Sequence, residues 1–294
     1  MTVRVVAVVV THNRKECLLR CVEALRGQQG AKTDILVVDN ASDDGTAEAL
    51  VPLMEQGALY YRNTGRNLGG AGGFNFGMRL AVEAGYDRLW VMDDDCIPEP
   101  DALAALLQAD GWLGGDYGFL SGMAYWRDGS LCRMNVQKTG LWRKLEDPTA
   151  PLTPVVMATF VSAFFPAARV REVGLPIREF FIWSDDLEYT RRLSRRYPCY
   201  AVGGCRVLHD MRHNNKVNIA TDSLDRLSRY AYLYRNEVYV YRREGLAGWL
   251  YLLARVGYHL GKIWLRSPQK GKRMRVILSS FLEGLGFHPP IEEV

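Results

Sequence analysis

The feature that most constrains the fold is the alternation of short apolar segments with helical patterns over the first hundred residues. The predicted strands are apolar runs at residues 3–10, 35–38, 59–61 and 89–92. The predicted helices between them cover residues 15–25, 45–54 and 74–84. Strands that alternate with helices form βαβ units in a sheet covered by helices. The sequence therefore predicts an α/β fold.

Polar clusters follow three of these strands, at the point where each strand ends. They are Thr11-His12-Asn13-Arg14, Asp39-Asn40-Ala41-Ser42-Asp43 and Asp93-Asp94-Asp95. Ligands of such sheets bind at the carboxyl ends of the strands. The clusters are therefore candidate parts of one binding site.

Three adjacent carboxylates at the end of a buried strand repel one another unless a cation compensates them. Mg²⁺ and Mn²⁺ accept carboxylate ligands and bridge diphosphate oxygens. Asp93 and Asp95 alternate along the chain and can face one site, while Asp94 faces elsewhere. The sequence predicts a divalent metal site here, and the alternative is an acidic turn before a helix.

Asp39 and a glycine-rich segment are further candidates for ligand contacts. A carboxylate at a strand end can accept hydrogen bonds from a base or a ribose, or it can cap the next turn. The segment Arg66-Asn67-Leu68-Gly69-Gly70-Ala71-Gly72-Gly73-Phe74 precedes a predicted helix, where close backbone approach favours an anion. It has neither the dinucleotide nor the P-loop spacing. A flexible surface loop is its alternative.

Asp185 and Asp186 follow an aromatic segment and come at the start of a predicted helix over 187–196. One of them can act as the general base that deprotonates an acceptor hydroxyl, or the pair can cap the helix. His209 follows a short predicted strand and is a candidate third metal ligand, oriented by Asp210. The alternative for His209 is a structural role.

The chain changes character after residue 218. Residues 211–294 contain 14 lysines and arginines against 7 acidic residues. A helix is predicted over 224–241, then an interfacial helix over 246–265, a basic stretch and an apolar segment over 276–285. We expect a catalytic domain at 1–218 and a helical region at 219–294 that associates with an anionic membrane surface. The alternative is a helical subdomain packed on the core or on a second subunit.

Other classes of protein are disfavoured. The six cysteines have no zinc spacing and are expected to be reduced thiols. The start of the chain is expected to form a strand and not a signal peptide. The basic residues cluster only in the aromatic tail, so nucleic-acid binding is not expected.

Taken in order, these residues resemble the inverting family 2 glycosyltransferases of GT-A fold. The resemblance spans residues 3–210 and includes Val37-Val38-Asp39-Asn40-Ala41-Ser42, Asn67-Leu68-Gly69-Gly70 and Met92-Asp93-Asp94-Asp95. It implies a Rossmann-like mixed sheet flanked by helices, with a C-terminal helical extension. Within the family the chain looks like bacterial galactofuranosyltransferases, through its glycine segment, its triple Asp and Trp183-Ser184-Asp185-Asp186. Rhamnosyltransferases that use dTDP-rhamnose share several of these patterns.

The resemblance also implies roles for single residues. Asp39 would contact the uracil or ribose, and Asp93, Asp95 and His209 would hold Mn²⁺ or Mg²⁺. Asp186 would be the catalytic base, with Asp185 and Trp183 contacting the acceptor. The other implied donor-binding residues are Thr11, Asn13, Arg14, Arg66, Asn67, Gly69, Gly70, Gly72, Gly73 and Asp94, together with Asp93.

The function implied is transfer of galactofuranose from UDP-galactofuranose to a lipid-linked glycan of a cell-envelope polysaccharide such as O-antigen. We expect a cytoplasmic enzyme, peripheral on the inner face of the cell membrane and able to form a homo-oligomer. The chain lacks the large N-terminal β domain of the polymerising galactofuranosyltransferases, which favours addition of one or a few residues. An inactive nucleotide-sugar-binding protein would be expected to have lost the base or a metal ligand.

Overall fold

The computed structural model describes residues 3–215 and 217–294. In these residues the strands are β1 (Val5–Thr11), β2 (Asp34–Asp39), β3 (Tyr60–Asn63), β4 (Arg88–Asp93), β5 (Cys96–Pro98), β6 (Leu120–Tyr125), β7 (Thr153–Pro154), β8 (Ala163–Pro166) and β9 (Tyr200–His209). The helices are α1 (Lys15–Arg26), α2 (Thr46–Glu55), α3 (Gly69–Glu83), α4 (Ala102–Trp112), α5 (Ala167–Val173), α6 (Asp185–Ser194), α7 (Leu227–Arg242), α8 (Gly245–Arg266) and α9 (Lys270–Gly286).

The strands form one mixed sheet in the order β3-β2-β1-β4-β8-β6-β9-β5, and β7 pairs with β9. The first four strands in this order are parallel, as the βαβ alternation predicted. β8 then runs antiparallel to both β4 and β6. The prediction of an α/β fold with a mixed sheet flanked by helices is confirmed.

β1 lies at the centre of the parallel half, and its seven residues are all buried. Its side chains alternate between two apolar cores. Val6, Val8 and Val10 pack with residues of α3 and α5 on one face. Val5 and Val9 pack with residues of α1 and α4 on the other. A strand buried on both faces explains the uninterrupted apolar run that the sequence shows.

The helices α7, α8 and α9 pack against one another and against residues that precede α6. Their core includes Tyr234, Val238 and Ile277, and it joins Ile177 and Phe180 from the segment before α6. Among the described residues, no helix has the length and apolar character needed to cross a membrane. This core includes residues from both sides of position 218. The division into a catalytic domain at 1–218 and a helical region at 219–294 stays a prediction.

Candidate active site

The acidic turn after β4 is held by residues of β1 and of the loop that follows it. β1 and β4 pair in parallel, with Val10 opposite Asp93. Thr11 Oγ1 donates a hydrogen bond of 2.7 Å to Asp94 Oδ2. The guanidinium of Arg14 lies 3.0 Å from Asp94 Oδ1 and 2.7 Å from Asp95 Oδ2. Thr11 and Arg14 therefore compensate part of the negative charge of this turn.

Asp95 and His209 meet because β5 pairs with β9, with Cys96 opposite His209. His209 Nε2 lies 3.2 Å from Asp95 Oδ1, and both side chains are buried. His209 Nδ1 lies 3.0 Å from Asn135 Oδ1. Burial opposes the charged form of both groups, yet each favours the charge of the other, so the pKa of His209 is raised and that of Asp95 is lowered.

Asp210 does not orient His209 as the sequence suggested. Its carboxylate forms ion pairs with Arg20, at 2.6 Å, and with Arg127. The partner of the histidine ring is instead Asn135, which lies more than seventy residues earlier in the chain. Adjacent residues of a strand point to opposite faces of the sheet, which explains why the neighbour in sequence is not the neighbour of the ring.

The residues at this turn fit a divalent cation. In the described chain Asp95 Oδ1 is buried, and its contact with His209 Nε2 at 3.2 Å does not have the geometry of a hydrogen bond. Asp95, Cys96 and His209 offer ligand atoms within 4.8 Å of one another. Cys96 is a poor ligand for a hard cation, because burial raises the pKa of its thiol and its side chain packs in the core. Asp93 is outside this close group but lines the same cavity as Asp95 and His209.

Asp185 and Asp186 occupy the first turn of α6. The backbone N–H of Leu187 donates to Asp186 Oδ1 at 2.7 Å. Desolvation raises the pKa of both carboxyls, and the charge of Asp186 raises the pKa of Asp185 further. The pKa of Asp186 is raised to about 6, with partial opposition from backbone N–H groups and Lys138. A carboxylate with a raised pKa is a stronger base than an exposed one.

The segment that leads into α6 has a strained backbone. Phe181, Trp183 and Ser184 have φ values of 61°, 66° and 68°, a region that favours glycine. Non-glycine residues with such angles cost free energy and persist only where the surrounding structure holds them. The strain directly precedes Asp185 and Asp186, so it sets where the two carboxylates point.

Asn236 of α7 holds this strained segment. Its side-chain amide donates to the carbonyl oxygens of Phe180 (3.0 Å), Ile182 (3.3 Å) and Trp183 (2.9 Å), and Asn236 is completely buried. The neighbouring Arg235 donates to the carbonyl oxygen of Glu179 at 2.6 Å. A helix that lies outside the predicted catalytic domain is therefore hydrogen-bonded to the segment that precedes the acidic pair.

The glycine-rich segment is not a loop before a helix, because α3 begins at Gly69 and not at residue 74. Gly72 and Gly73 are needed for packing. A Cβ on Gly73 would lie 2.5 Å from Val10 Cγ1, and one on Gly72 would lie 2.6 Å from Leu68 Cβ. Gly69 has φ 72° and lies against the backbone of Phe181. Gly70 alone among these four glycines lines the cavity described below.

The predicted donor residues around β2 and β3 mostly stabilise the loops. Asp39 is completely buried, and its carboxylate accepts hydrogen bonds from Ser42 and from Tyr61 OH. Asn13 accepts a hydrogen bond from the backbone of Asp43, which ties the loops after β1 and β2 together. Asn67 caps the start of α3 through the N–H of Gly69, and Arg66 is exposed.

One cavity of about 930 Å³ brings the central residues together. The predicted residues that line it are Arg14, Gly70, Asp93, Asp95, Trp183, Asp185, Asp186 and His209. The predicted residues outside its lining are Thr11, Asn13, Asp39, Arg66, Asn67, Gly69, Gly72, Gly73 and Asp94. The acidic turn after β4 and the acidic pair of α6 thus line the same open cavity.

Sequence reasoning missed a wall of this cavity. Residues of α8 line it, among them Tyr251, Arg255 and Lys262, and Lys138 faces it from the region between β6 and β7. None of these belongs to a motif. A spacing of seven residues between Arg255 and Lys262 places them on one helix face, which is the available signal in the sequence.

The sequence and the fold are similar to those of known glycosyltransferases. Residues 6–126 match the family model described as glycosyl transferase family 2. Galactofuranosyltransferase GlfT1 of Mycolicibacterium smegmatis (strain ATCC 700084 / mc(2)155) is 27% identical over 302 residues, which cover 92% of this chain and 97% of that protein.

Two solved structures share the fold at low sequence identity. GalNAc-T7 with UDP, GalNAc and Mn²⁺ matches with a TM-score of 0.59 and 16% identity, over 71% of this chain and 44% of that chain. S. aureus TarS 1-349 in complex with UDP matches with a TM-score of 0.54 and 12% identity, over 97% of this chain and 72% of that chain. The chain is therefore a glycosyltransferase of GT-A fold, in which residues 6–126 match the glycosyl transferase family 2 model.

Proposed function

We propose that this glycosyltransferase is inverting and metal-dependent and transfers galactofuranose from UDP-galactofuranose to a hydroxyl of a lipid-linked glycan in cell-envelope polysaccharide synthesis. The observation that carries the proposal is that Asp186 and the Asp95–His209 pair line the same cavity. A base for the acceptor and a site for a metal-bound diphosphate are the two elements that this reaction needs. The GlfT1 relative supports galactofuranose as the donor sugar.

In this mechanism Asp186 accepts the proton of the acceptor hydroxyl as the hydroxyl oxygen attacks the anomeric carbon. The bond from that carbon to the diphosphate breaks on the opposite face, so the configuration inverts. Asp95 and His209, with Asp93 facing them, would hold the metal ion, which neutralises the departing diphosphate when bound. Asp185 and Trp183 contact the acceptor beside the base.

The proposed donor is a UDP-sugar, bound with a divalent cation. Two structural neighbours contain UDP, and one contains Mn²⁺, which supports a uridine donor and a divalent cation. Arg14 and Gly70 line the cavity, and we propose that they contact the donor. We propose that Asp39 acts mainly through Ser42 and Tyr61, because its oxygens already accept their hydrogen bonds.

We expect EDTA-sensitive transfer from UDP-galactofuranose. Purified protein is incubated with a lipid-like glycoside acceptor, a panel of nucleotide sugars and Mn²⁺ or Mg²⁺, and product mass and released nucleotide are read together. Chelation should abolish transfer, and added metal should restore it. Transfer from dTDP-rhamnose instead would overturn the donor, and transfer that resists EDTA would overturn the metal. A protein that binds nucleotide but transfers no sugar from any donor would overturn the proposal that it is a catalyst.

We further propose that the C-terminal helices attach the enzyme to the cytosolic face of an anionic membrane. Leu246, Leu250, Leu253 and Trp264 lie on one face of α8 and are 76, 58, 55 and 63% exposed. Basic residues follow at the start of α9, and the ammonium of Lys270 lies 5.1 Å from the centre of the Trp264 ring of this face. Apolar and cationic groups side by side match the requirements of a lipid headgroup region.

We expect wild-type protein to co-sediment with vesicles that contain anionic lipid. The double variant Leu250→Ser/Leu253→Ser should stay in the supernatant, because two exposed leucines supply much of the insertable apolar area. Equal sedimentation of both proteins would contradict docking through this face. A shift of the wild type, but not the variant, to a dimer in sedimentation velocity would assign the face to a second copy.

A further inference from the structure

Charged residues of both signs line the cavity, and most of its cations come from two segments. The carboxylates Asp93, Asp95, Asp185 and Asp186 come from the sheet and α6, and Glu237 of α7 is a further lining anion. The lining cations other than Arg14 are Arg255 and Lys262 of α8 and, between β6 and β7, Arg133, Lys138 and Lys144. Arg255 pairs with Glu237 at 2.9 Å. In the part of the chain that the structure describes, neither Lys138 nor Lys262 forms an ion pair.

Lys138 lies beside a second lysine and against aromatic rings. It pairs with Lys144 in an antiparallel bridge, and like charges opposite each other across strands are destabilising. Its ammonium lies 3.3 Å from Tyr241 OH and above the rings of Tyr241 and Tyr251. Burial lowers the pKa of Lys138, and the nearby carboxylates of Glu237 and Asp186 offset only part of this effect.

Helix α8 presents a different surface on each of three faces. Leu252, Val256 and Ile263 are buried in the core. A second face turns Arg255, Tyr258 and Lys262 toward the cavity. The third face carries the exposed apolar residues described above. Successive residues turn by about 100° around a helix, so the cationic face lies roughly opposite the exposed apolar one, and the two are separated by the buried face on one side.

We propose that the α8 end of the cavity is a subsite for a phosphate or diphosphate group carried by the acceptor. The inference rests on the proposed function, which places the donor diphosphate at the acidic turn after β4 and the reacting hydroxyl at Asp186. The part of the acceptor beyond that hydroxyl then extends toward α8. Lys262 and Lys138 supply positive charge there, and Trp142 and Tyr251 supply apolar walls.

Binding of inorganic diphosphate in the presence of EDTA tests the subsite without catalysis. Chelation removes the metal, so the carboxylates repel the probe and only the cations attract it. Titration calorimetry should give a dissociation constant about 10-fold weaker for Lys262→Gln than for wild type, because one charged contact is lost. Lys262→Arg should retain binding, and Lys32→Gln, at an exposed lysine before β2 and outside the cavity lining, is the matched control. Equal affinity of Lys262→Gln and wild type would overturn the proposal.

Acceptor kinetics decide what the subsite holds. Two acceptors with the same reacting sugar are compared, one with a phosphate and one with a neutral alkyl group. Lys262→Gln should reduce the preference for the phosphate acceptor, measured as the ratio of kcat/KM values, about 10-fold. A rise in the donor KM instead would assign Lys262 to the donor. If Lys262→Gln lost anionic-vesicle binding by the same factor as the preference for the phosphate acceptor, Lys262 would be assigned to lipid headgroups. Either of these two results would overturn the proposal.

The failure of this inference can be distinguished from failure of the proposed function. A wild-type protein without transferase activity on any donor would overturn the proposed function alone. The diphosphate titration would still decide whether the cations of the subsite bind such an anion, since it requires neither donor nor turnover.

Discussion

Asp186→Asn should lower kcat by about 10²–10³-fold, with little change in the affinity for the donor nucleotide. The amide keeps the shape of the carboxylate and can still accept the hydrogen bond from the N–H of Leu187. It cannot take a proton from the acceptor hydroxyl. The loss therefore falls on the chemical step, and single-turnover kinetics with saturating donor measures it directly.

Asp185→Asn and Glu55→Gln are the comparisons for this variant. Asp185 is the neighbour of the proposed base, and its substitution should act mainly on the acceptor KM. Glu55 is exposed at the end of α2 and outside the cavity, so its variant controls for the loss of one negative charge. If Asp185→Asn abolishes turnover and Asp186→Asn retains it, the roles of the two residues are exchanged.

The parallel half of the sheet was predictable because its signals are local. The apolar run of β1 and the strands that end at Asp39 and Asp93 each appear within a few residues of sequence. Parallel strands with helical connections have few possible arrangements. The order of β8, β6 and β9 was not predictable, because it depends on pairing between segments that lie many residues apart.

The site was predictable where chemistry is concentrated in short motifs. Asp93, Asp95, Asp186 and His209 were chosen from sequence, and the structure places all four around one cavity. Their individual roles stay predictions. The predicted start of α3, at residue 74, was wrong, because glycine is a poor helix former and the four glycines argued against a helix. The close packing of Gly73 against β1 becomes visible only in the structure.

Residues that act through tertiary contacts left no such signal. Asn135 reaches His209 across 74 positions of sequence, and Asn236 reaches the segment before α6 across more than fifty. An amide side chain in a helix indicates nothing about its partner until the fold is known. These two residues show why the motifs predicted the reacting groups but not the groups that orient them.

Asn236→Ala should both destabilise the protein and slow turnover. The substitution leaves the carbonyl oxygens of Phe180, Ile182 and Trp183 without their shared donor, in a segment where Trp183 already has a positive φ. Each unsatisfied buried acceptor costs about 1–3 kcal/mol, so we expect a loss of at least about 2 kcal/mol in the free energy of unfolding. Urea denaturation measures it.

The kinetic consequence separates positioning from simple stabilisation. Relaxation of the strained segment would move Asp186, and a displacement of about 1 Å can cost on the order of 10²-fold in rate. Asn75→Ala is the matched control, because Asn75 is also a buried amide but donates to the carbonyl of Pro176, outside the strained residues. It should lose stability and keep kcat at temperatures where it is folded. Equal kcat values for both variants would mean that Asn236 only stabilises the fold, whereas a selective fall for Asn236→Ala would make α7 part of the catalytic apparatus.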